Sequence, residues 1–579
     1  MCGIAGMVGG RVPVDRIDAM TDALRHRGPD DRGVWSAPGV RLGHRRLSII
    51  DLSAGGHQPM TYGPFTIVYN GEIYNYHELR DTLPGPFVSH SDTEVLLHLY
   101  AEEGPRCLAR LQGMFAFAIW DAERRELFAA RDRLGIKPFF YSDEPDCFAF
   151  ASEIKALLTL QPRSVERSAL LDYFTYKYVP APKTIYAGLR KLPPAHYLVY
   201  DGTLRLTRYW QPEPHVERRD AAQAAAELDA LLADAVRRHT IADVPVGVFL
   251  SGGLDSSTLV AYLGAGTRTF TIGFDIAEHS EVDQAREVAT HFHTEHREDT
   301  VGQIDLDAAL AALPPMYDEP FGDSSAWATH VVSALARRHV TVALSGEGGD
   351  EVFSGYGWYR RWLSVEPSRA APWAARWLPP FSAAARSMAR RDPDELGRYA
   401  ALISVFTTAQ KRALLAPDWW PRDYDHLWYL RQHWRLDLDP IKRMQYVDLH
   451  TFLPDDLLVK VDRASMACSL EVRPPLLDHR LVEFAVSLDA SLLRDGGIGK
   501  RLLRQVVGPR LPASVLSRPK KGFSMPVRRW VAERPDLLDA ALERLARAGI
   551  LRSPRRPRLD GEQMWTLLVL DRWMRHAGV

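Results

Sequence analysis

A strand-rich N-terminal unit, followed by an α/β unit on a parallel sheet and a helical C-terminal third, is the fold class this sequence predicts. Three observations lead there: short apolar runs alternating with turn residues early in the chain, a polar break near residue 210, and strand-like runs separated by helix-like segments after it. At a soft prior of about 150 residues per domain, the chain holds roughly two to four compact units.

Residues 65–70 (FTIVYN), 114–120 (MFAFAIW) and 126–130 (ELFAA) carry the alternation of half-buried strands. Residues 211–220 (QPEPHVERRD) are polar and contain two prolines, and the following AAQAAAELDALLADAVRRH is a strong helix former. The division is therefore placed at 1–208 and 209–579. Apolar runs at 246–250, 269–274 and 340–344 have the spacing of βαβ units. Residues 366–395, rich in Ala, Arg, Pro and Trp, read as a mostly helical excursion, and the basic piece 552–558 as a solvated loop. No repeat of solenoid period occurs.

Composition narrows the function classes. Hydrophobic residues make up 46% and charged residues 25%, as in ordinary globular proteins. The 72 basic and 73 acidic residues leave a net charge of −1, which argues against nucleic acid or an acidic membrane as partner. Small-molecule chemistry is favoured. Cys2, Cys107, Cys147 and Cys468 stand too far apart for a zinc site or a disulfide scaffold, so a cytoplasmic setting is expected. Neither a signal peptide nor an apolar run of roughly 20 residues is seen.

Removal of Met1 leaves Cys2 with a thiol of ordinary pKa about 8.5 beside an α-amine of pKa about 7.7 to 8.0. The amine can take the thiol proton, and the thiolate can attack an amide carbonyl, giving a thioester and ammonia. A cysteine at position two is, by itself, equally a buried structural thiol. Its company is more informative. Arg46, in HRRLSIID just before an expected strand, offers a bidentate partner for the α-carboxylate of free glutamine. Glu72 in YNGEIYN and Asp92 in SHSDTE can hold its α-ammonium, and Asn70 with Gly71, after the FTIVYN strand, can meet a developing oxyanion.

Together with RHRGPD (25–30) and LQGMFAFAIWD, these segments resemble the class II, N-terminal-nucleophile glutaminase domain of asparagine synthetases. The resemblance implies an αββα sandwich, Cys2 as nucleophile, Asn70 and Gly71 as oxyanion hole, and Arg46, Asn70, Glu72 and Asp92 as glutamine site. It also places Met114 on the wall of an apolar ammonia passage.

Residues 247–257 (GVFLSGGLDSS) run a strand through Ser251, Gly252, Gly253, Asp255 and Ser256 into a helix, which is a phosphate cradle. It is not a Walker A loop, since no Gly-Lys-Ser/Thr follows. The segment is similar to the SGGxDSS loop of ATP pyrophosphatases, and the resemblance implies ATP cleaved to AMP and pyrophosphate with Mg2+. Asp255 and Asp350, in LSGEGGDE (344–351), are the implied metal ligands and Glu347 the implied base. Leu250, Ile272, Ser345 and Gly346 are implied around the nucleotide, with Lys500 in GIGKRLLRQ on the pyrophosphate. Further matches are DEPFGDSSA (318–326), LPDDLLVKVDRASMACSLEVRPPLLD (453–478) and RPKKGFSMP (518–526), so the likeness spans nearly the whole chain as a Rossmann-like synthetase unit.

Two catalytic readings share both half reactions and differ in the acceptor. One amidates aspartate to asparagine; the other amidates a different carboxylate, because fold and loops do not fix the acceptor. A third reading is a non-catalytic scaffold, which the intact Cys2, Asn70, Asp255, Glu347 and Asp350 oppose. Relatives of this kind are commonly dimeric, which extends a homodimer to this chain as an expectation.

Overall fold

A computed structural model describes residues 2–10, 15–215, 217, 219–275, 280–302, 305–420, 423–518 and 525–579. Residue 1 and positions 519–524 of the RPKKGFSMP segment lie outside this set.

The first part is a sandwich of two six-stranded antiparallel sheets. In one, Gly3–Val8 lies between Val40–Arg46 and Cys147–Ala151. In the other, Phe65–Ile73, Gly113–Asp121 and Glu126–Arg131 run side by side. Apolar side chains from both sheets, among them Ile4, Leu42, Val68, Ala118, Phe148 and Leu198, fill the space between them. Helices Arg16–Ala23 and Arg167–Tyr176 cover one outer face, and Asp92–Glu103 covers the other. This is the αββα arrangement expected above.

Strand edges differ from the sequence reading in an instructive way. Phe65–Ile73 continues through Gly71 and Glu72 instead of ending at Asn70, because Gly113–Asp121 pairs along its full length. Arg46 is the last residue of Val40–Arg46, not a residue ahead of a strand.

Helix Ala221–His239 opens the second part, with Asp220 accepting hydrogen bonds from the Ala222 and Gln223 N–H groups and basic residues in its last turn. Its buried Ala224, Leu228, Leu232, Ala235 and Val236 follow helical spacing and pack toward a five-stranded, wholly parallel sheet. The strand order is Glu295–Val301, Arg268–Phe274, Val246–Phe249, Val342–Leu344, Glu471–Arg473. Short helices follow, including Ala371–Ala375 and Ala383–Ala389 in the Ala/Arg/Trp-rich excursion. The C-terminal helix Gly561–Ala577 buries Trp565 and Trp573 and returns to the first part, where Tyr173 donates its hydroxyl to the Thr566 carbonyl at 2.8 Å.

A buried charge network joins the two parts. Arg27, which has no exposed surface, donates to Glu153 at 2.8 Å and to both oxygens of Asp462 at 2.8 and 3.0 Å. Arg463 bridges Glu153 at 2.8 Å and Asp318 at 3.2 Å. Burial opposes ionisation of Asp462, but Arg27 and Lys137 outweigh it and hold the carboxyl below its ordinary value. Removing Arg27 takes away the bidentate partner of Asp462 and one of the cations on Glu153 in a buried setting, so Arg27→Ala should destabilise the folded chain by about 3–5 kcal/mol. Chemical denaturation measures this; an unchanged midpoint would show that the network does not hold the parts together.

Candidate active sites

Cys2 directly precedes the first strand and is buried against Leu47, whose carbonyl lies 3.9 Å from Sγ. Its backbone nitrogen donates to Asn70 Oδ1 at 2.9 Å, and its carbonyl accepts from Arg27 Nε at 3.0 Å. The nitrogen that becomes an α-amine on loss of Met1 is thus already fixed. Asn70 Nδ2 is buried and has no hydrogen-bond partner among the described residues, a costly arrangement that substrate oxygen can relieve. Gly71 admits no side chain, since a Cβ there would stand 2.2 Å from the Met114 carbonyl.

Of the glutamine ligands expected from the sequence, Glu72 lies closest to Asn70 along the strand and is buried. Arg46 is buried too, but its guanidinium is turned onto the Ser53 carbonyl at 2.9 Å and those of Ile50 and Asp51. No ion pair joins it to Glu72 or Asp92 among the described residues. Asp92 accepts from the Tyr69 hydroxyl at 2.8 Å and the Ile73 N–H at 3.0 Å. Burial pushes its carboxyl up, with Glu471 adding to the push. Met114 is wholly buried in a cluster that includes Val342 and Met466 from the second part.

In the second part, Val246–Phe249 and Val342–Leu344 are parallel neighbours, so the loops after them share one edge of the sheet. Ser251 Oγ and Ser256 Oγ lie 3.0 Å apart, and Gly252 takes φ +71, a conformation that suits glycine. Helix Leu254–Leu263 starts there with Asp255 in its first turn. The loop of residues 345–349 presses against this start: a Cβ on Gly346 would fall 2.9 Å from the Ser256 nitrogen, and one on Gly349 2.5 Å from Asp255 Oδ1. Leu250 and Ile272 are buried at the adjoining strand ends. Ser345 donates its N–H to the Arg473 carbonyl at 2.9 Å.

Lys500 is buried, not a surface lysine, and adopts φ +58. Its Nζ stands 2.6 and 2.5 Å from the two Asp255 oxygens and 2.8 Å from Asp350 Oδ1. Glu347 is half-buried with Lys460 Nζ at 3.6 Å. Beside it lies a small apolar cavity lined by Ile136, Leu458, Val461, Val472 and Pro474 together with Lys137 and Asp462.

Sequence reading gave no role to Asp462 and Arg463, to Asp318, or to Glu471 and Arg473, although all lie in segments it singled out. Charged residues embedded in apolar stretches such as LLVKVDRASM were the available signal, since buried charges demand partners.

Two family models divide the chain. Residues 1–210 match the glutamine amidotransferase domain and residues 227–575 match asparagine synthase, which defines an amidotransferase joined to an ATP-using ligase. The chain is 35% identical over 560 residues to asparagine synthetase [glutamine-hydrolyzing] 1 of Bacillus subtilis, covering 92% of this chain and 88% of that protein. It is 38% identical over 581 residues to a putative asparagine synthetase [glutamine-hydrolyzing] of Mycobacterium tuberculosis, with the same coverage. A Gibberella zeae protein called amidase chry2 is 29% identical, with 89% of this chain and 86% of that protein covered. This chain belongs to the glutamine-hydrolysing asparagine synthetase family.

Burial raises the Cys2 thiol above its ordinary value, so the thiolate is scarce near neutrality. Alkylation of Cys2 in the glutamine-free protein should therefore keep accelerating as pH passes the ordinary thiol value of about 8.5. Mass spectrometry of the Cys2 peptide reads this; a rate already on its plateau at neutral pH would contradict it.

Proposed function

We propose that this chain hydrolyses glutamine at Cys2 and passes the ammonia to an ATP-activated carboxylate, that of aspartate, making asparagine, glutamate, AMP and pyrophosphate. The observation that carries the reading is the Cys2 nitrogen on Asn70 Oδ1 at 2.9 Å, with the buried Nδ2 of the same side chain lacking a partner among the described residues.

Once Met1 is gone, the Cys2 amine takes the thiol proton as Sγ attacks the glutamine carboxamide carbon. Asn70 Nδ2 and the Gly71 N–H face the oxyanion; collapse expels ammonia and leaves a γ-glutamyl thioester that water hydrolyses. Glu72 and Asp92 receive the substrate ammonium, and Arg46 its carboxylate after turning from the carbonyls it now meets. Ammonia in water is mostly ammonium, which has no lone pair, so an apolar route past Met114 and the cavity beside Glu347 keeps it reactive.

At the second site, the SGGLDSS loop and the 345–349 loop enclose the nucleotide, with Leu250, Ile272 and Gly346 around adenosine. The acceptor carboxylate displaces pyrophosphate from the α-phosphorus, giving an acyl adenylate. Ammonia attacks its carbonyl, Glu347 takes the proton, and AMP leaves. Two carboxylates, Asp255 and Asp350, already converge on one cationic atom, a donor set that fits Mg2+. Bound there, the ion would neutralise charge on the departing pyrophosphate. Lys500 would follow the pyrophosphate once the carboxylates take the metal.

A second reading keeps every step and changes the acceptor. The likeness to a protein named an amidase favours it. A panel of carboxylates with glutamine, ATP and magnesium, read by mass spectrometry of the amide, decides between them: turnover that requires an acceptor other than aspartate removes the first. Cys2→Ala should abolish glutamine-dependent synthesis while leaving ammonia-dependent synthesis within about twofold. Glu347→Ala should lower both by roughly 100-fold or more, the scale of a lost general base. Loss of both activities in folded Cys2→Ala would overturn the division of labour, as would near-normal turnover in Glu347→Ala.

A further inference from the structure

Arg473 is a fully buried residue of the parallel sheet, in the short edge strand Glu471–Arg473, yet its side chain leaves that sheet. One guanidinium nitrogen stands 3.3 Å from Glu72 Oε1, on the strand that carries Asn70 and Gly71. Another donates to the carbonyls of His239 at 2.9 Å and Ile241 at 2.7 Å, and Nε donates to Glu471 at 2.5 Å. The backbone carbonyl of the same residue accepts from the Ser345 N–H at 2.9 Å, at the head of the loop that carries Glu347. One residue thus touches the glutamine side through its side chain and the nucleotide side through its main chain.

We infer that Arg473 is the positioning residue for glutamine recognition: the synthetase sheet completes the glutaminase site by holding the Glu72 carboxylate where the substrate ammonium arrives. The inference rests on the reading of Glu72 as a glutamine ligand. Nothing else among the described residues gives Glu72 an ion-pair partner, and the contact crosses from one part of the chain to the other.

The electrostatics of the cluster support this. Burial, with the Glu471 and Asp92 carboxylates nearby, drives the Glu72 carboxyl well above its usual value against the pull of Arg473 and of the chain's amino end. The two carboxyls are pushed in opposite directions: Glu72 upward, and Glu471 downward by the chain's amino end and by Arg473. An incoming ammonium must therefore draw Glu72 into its ionised form, and Arg473 is the fixed cation that keeps this within reach. Without that charge, the proton holds more tightly and glutamine binding needs a higher pH. The fixed bond to Ser345 makes the same backbone a rigid link, so movement of the nucleotide loop and movement of Glu72 share one strand.

The test is the pH profile of kcat/KM for glutamine hydrolysis in the full-length parent, Arg473→Met, Arg473→Lys and Glu471→Gln. Arg473→Met should raise KM for glutamine roughly tenfold or more and move the acid limb to higher pH, with the KM for ammonia within about twofold of the parent. Arg473→Lys keeps a charge and should restore the acid limb. Glu471→Gln removes the competing carboxylate and should move that limb to lower pH, which keeps the test decisive should Arg473→Met fail to fold. A purely structural Arg473 would lower kcat with both nitrogen sources and leave the limb in place, which overturns the inference. A parent that leaves glutamine untouched sinks the reading of the site itself, whereas a parent that consumes glutamine beside indifferent Arg473 and Glu471 variants sinks only the inference.

Discussion

Arg27 holds the two halves of this enzyme in register. Its Nε fixes the Cys2 carbonyl, while its two terminal nitrogens grip Glu153 and Asp462, the last of these on a helix of the second part. Buried ion pairs contribute little net stability, because desolvation offsets most of the attraction. They are demanding in geometry instead, since a displaced partner leaves a charge stranded away from water. Cys2, tied through one guanidinium to helix Leu458–Met466, cannot drift relative to that helix without that cost. The Ser469 hydroxyl, donating to the His26 carbonyl at 2.6 Å, pins the same turn again.

How much of this was legible in the sequence follows from the range of each interaction. The early strands, the helix from Ala221 and the strand-loop-helix around Asp255 announce themselves within a dozen residues through periodicity, caps and glycines, whereas the αββα layering came from the family resemblance. The strand through Asn70 and Gly71 was read short, because its last residues are kept extended by a partner strand and not by their own propensity. The Arg27–Asp462 pair spans 435 positions, and no local pattern encodes it. Lys500 is the intermediate case: its motif pointed to the nucleotide, and only the fold shows that it rests between Asp255 and Asp350.

That resting place has a physical consequence. Two carboxylates held together in a partly buried cleft repel, and the Lys500 ammonium between Asp255 and Asp350 neutralises them. The left-handed backbone at Lys500 is strain placed at this cluster. Arg46 shows a related feature at the other site, with its fork occupied by carbonyls of a neighbouring turn. Both cations rest on internal partners, which satisfies the charge and donors of each.

In the proposed reaction, nitrogen reaches the second site without entering water. Synthesis from glutamine labelled with 15N at its amide, run in a large excess of unlabelled ammonium, measures this directly. Product carrying nearly all of its new nitrogen as 15N is the predicted result. Label diluted to the composition of the surrounding solution would mean that ammonia escapes before it is used, and the buried interface would then have no part in the chemistry.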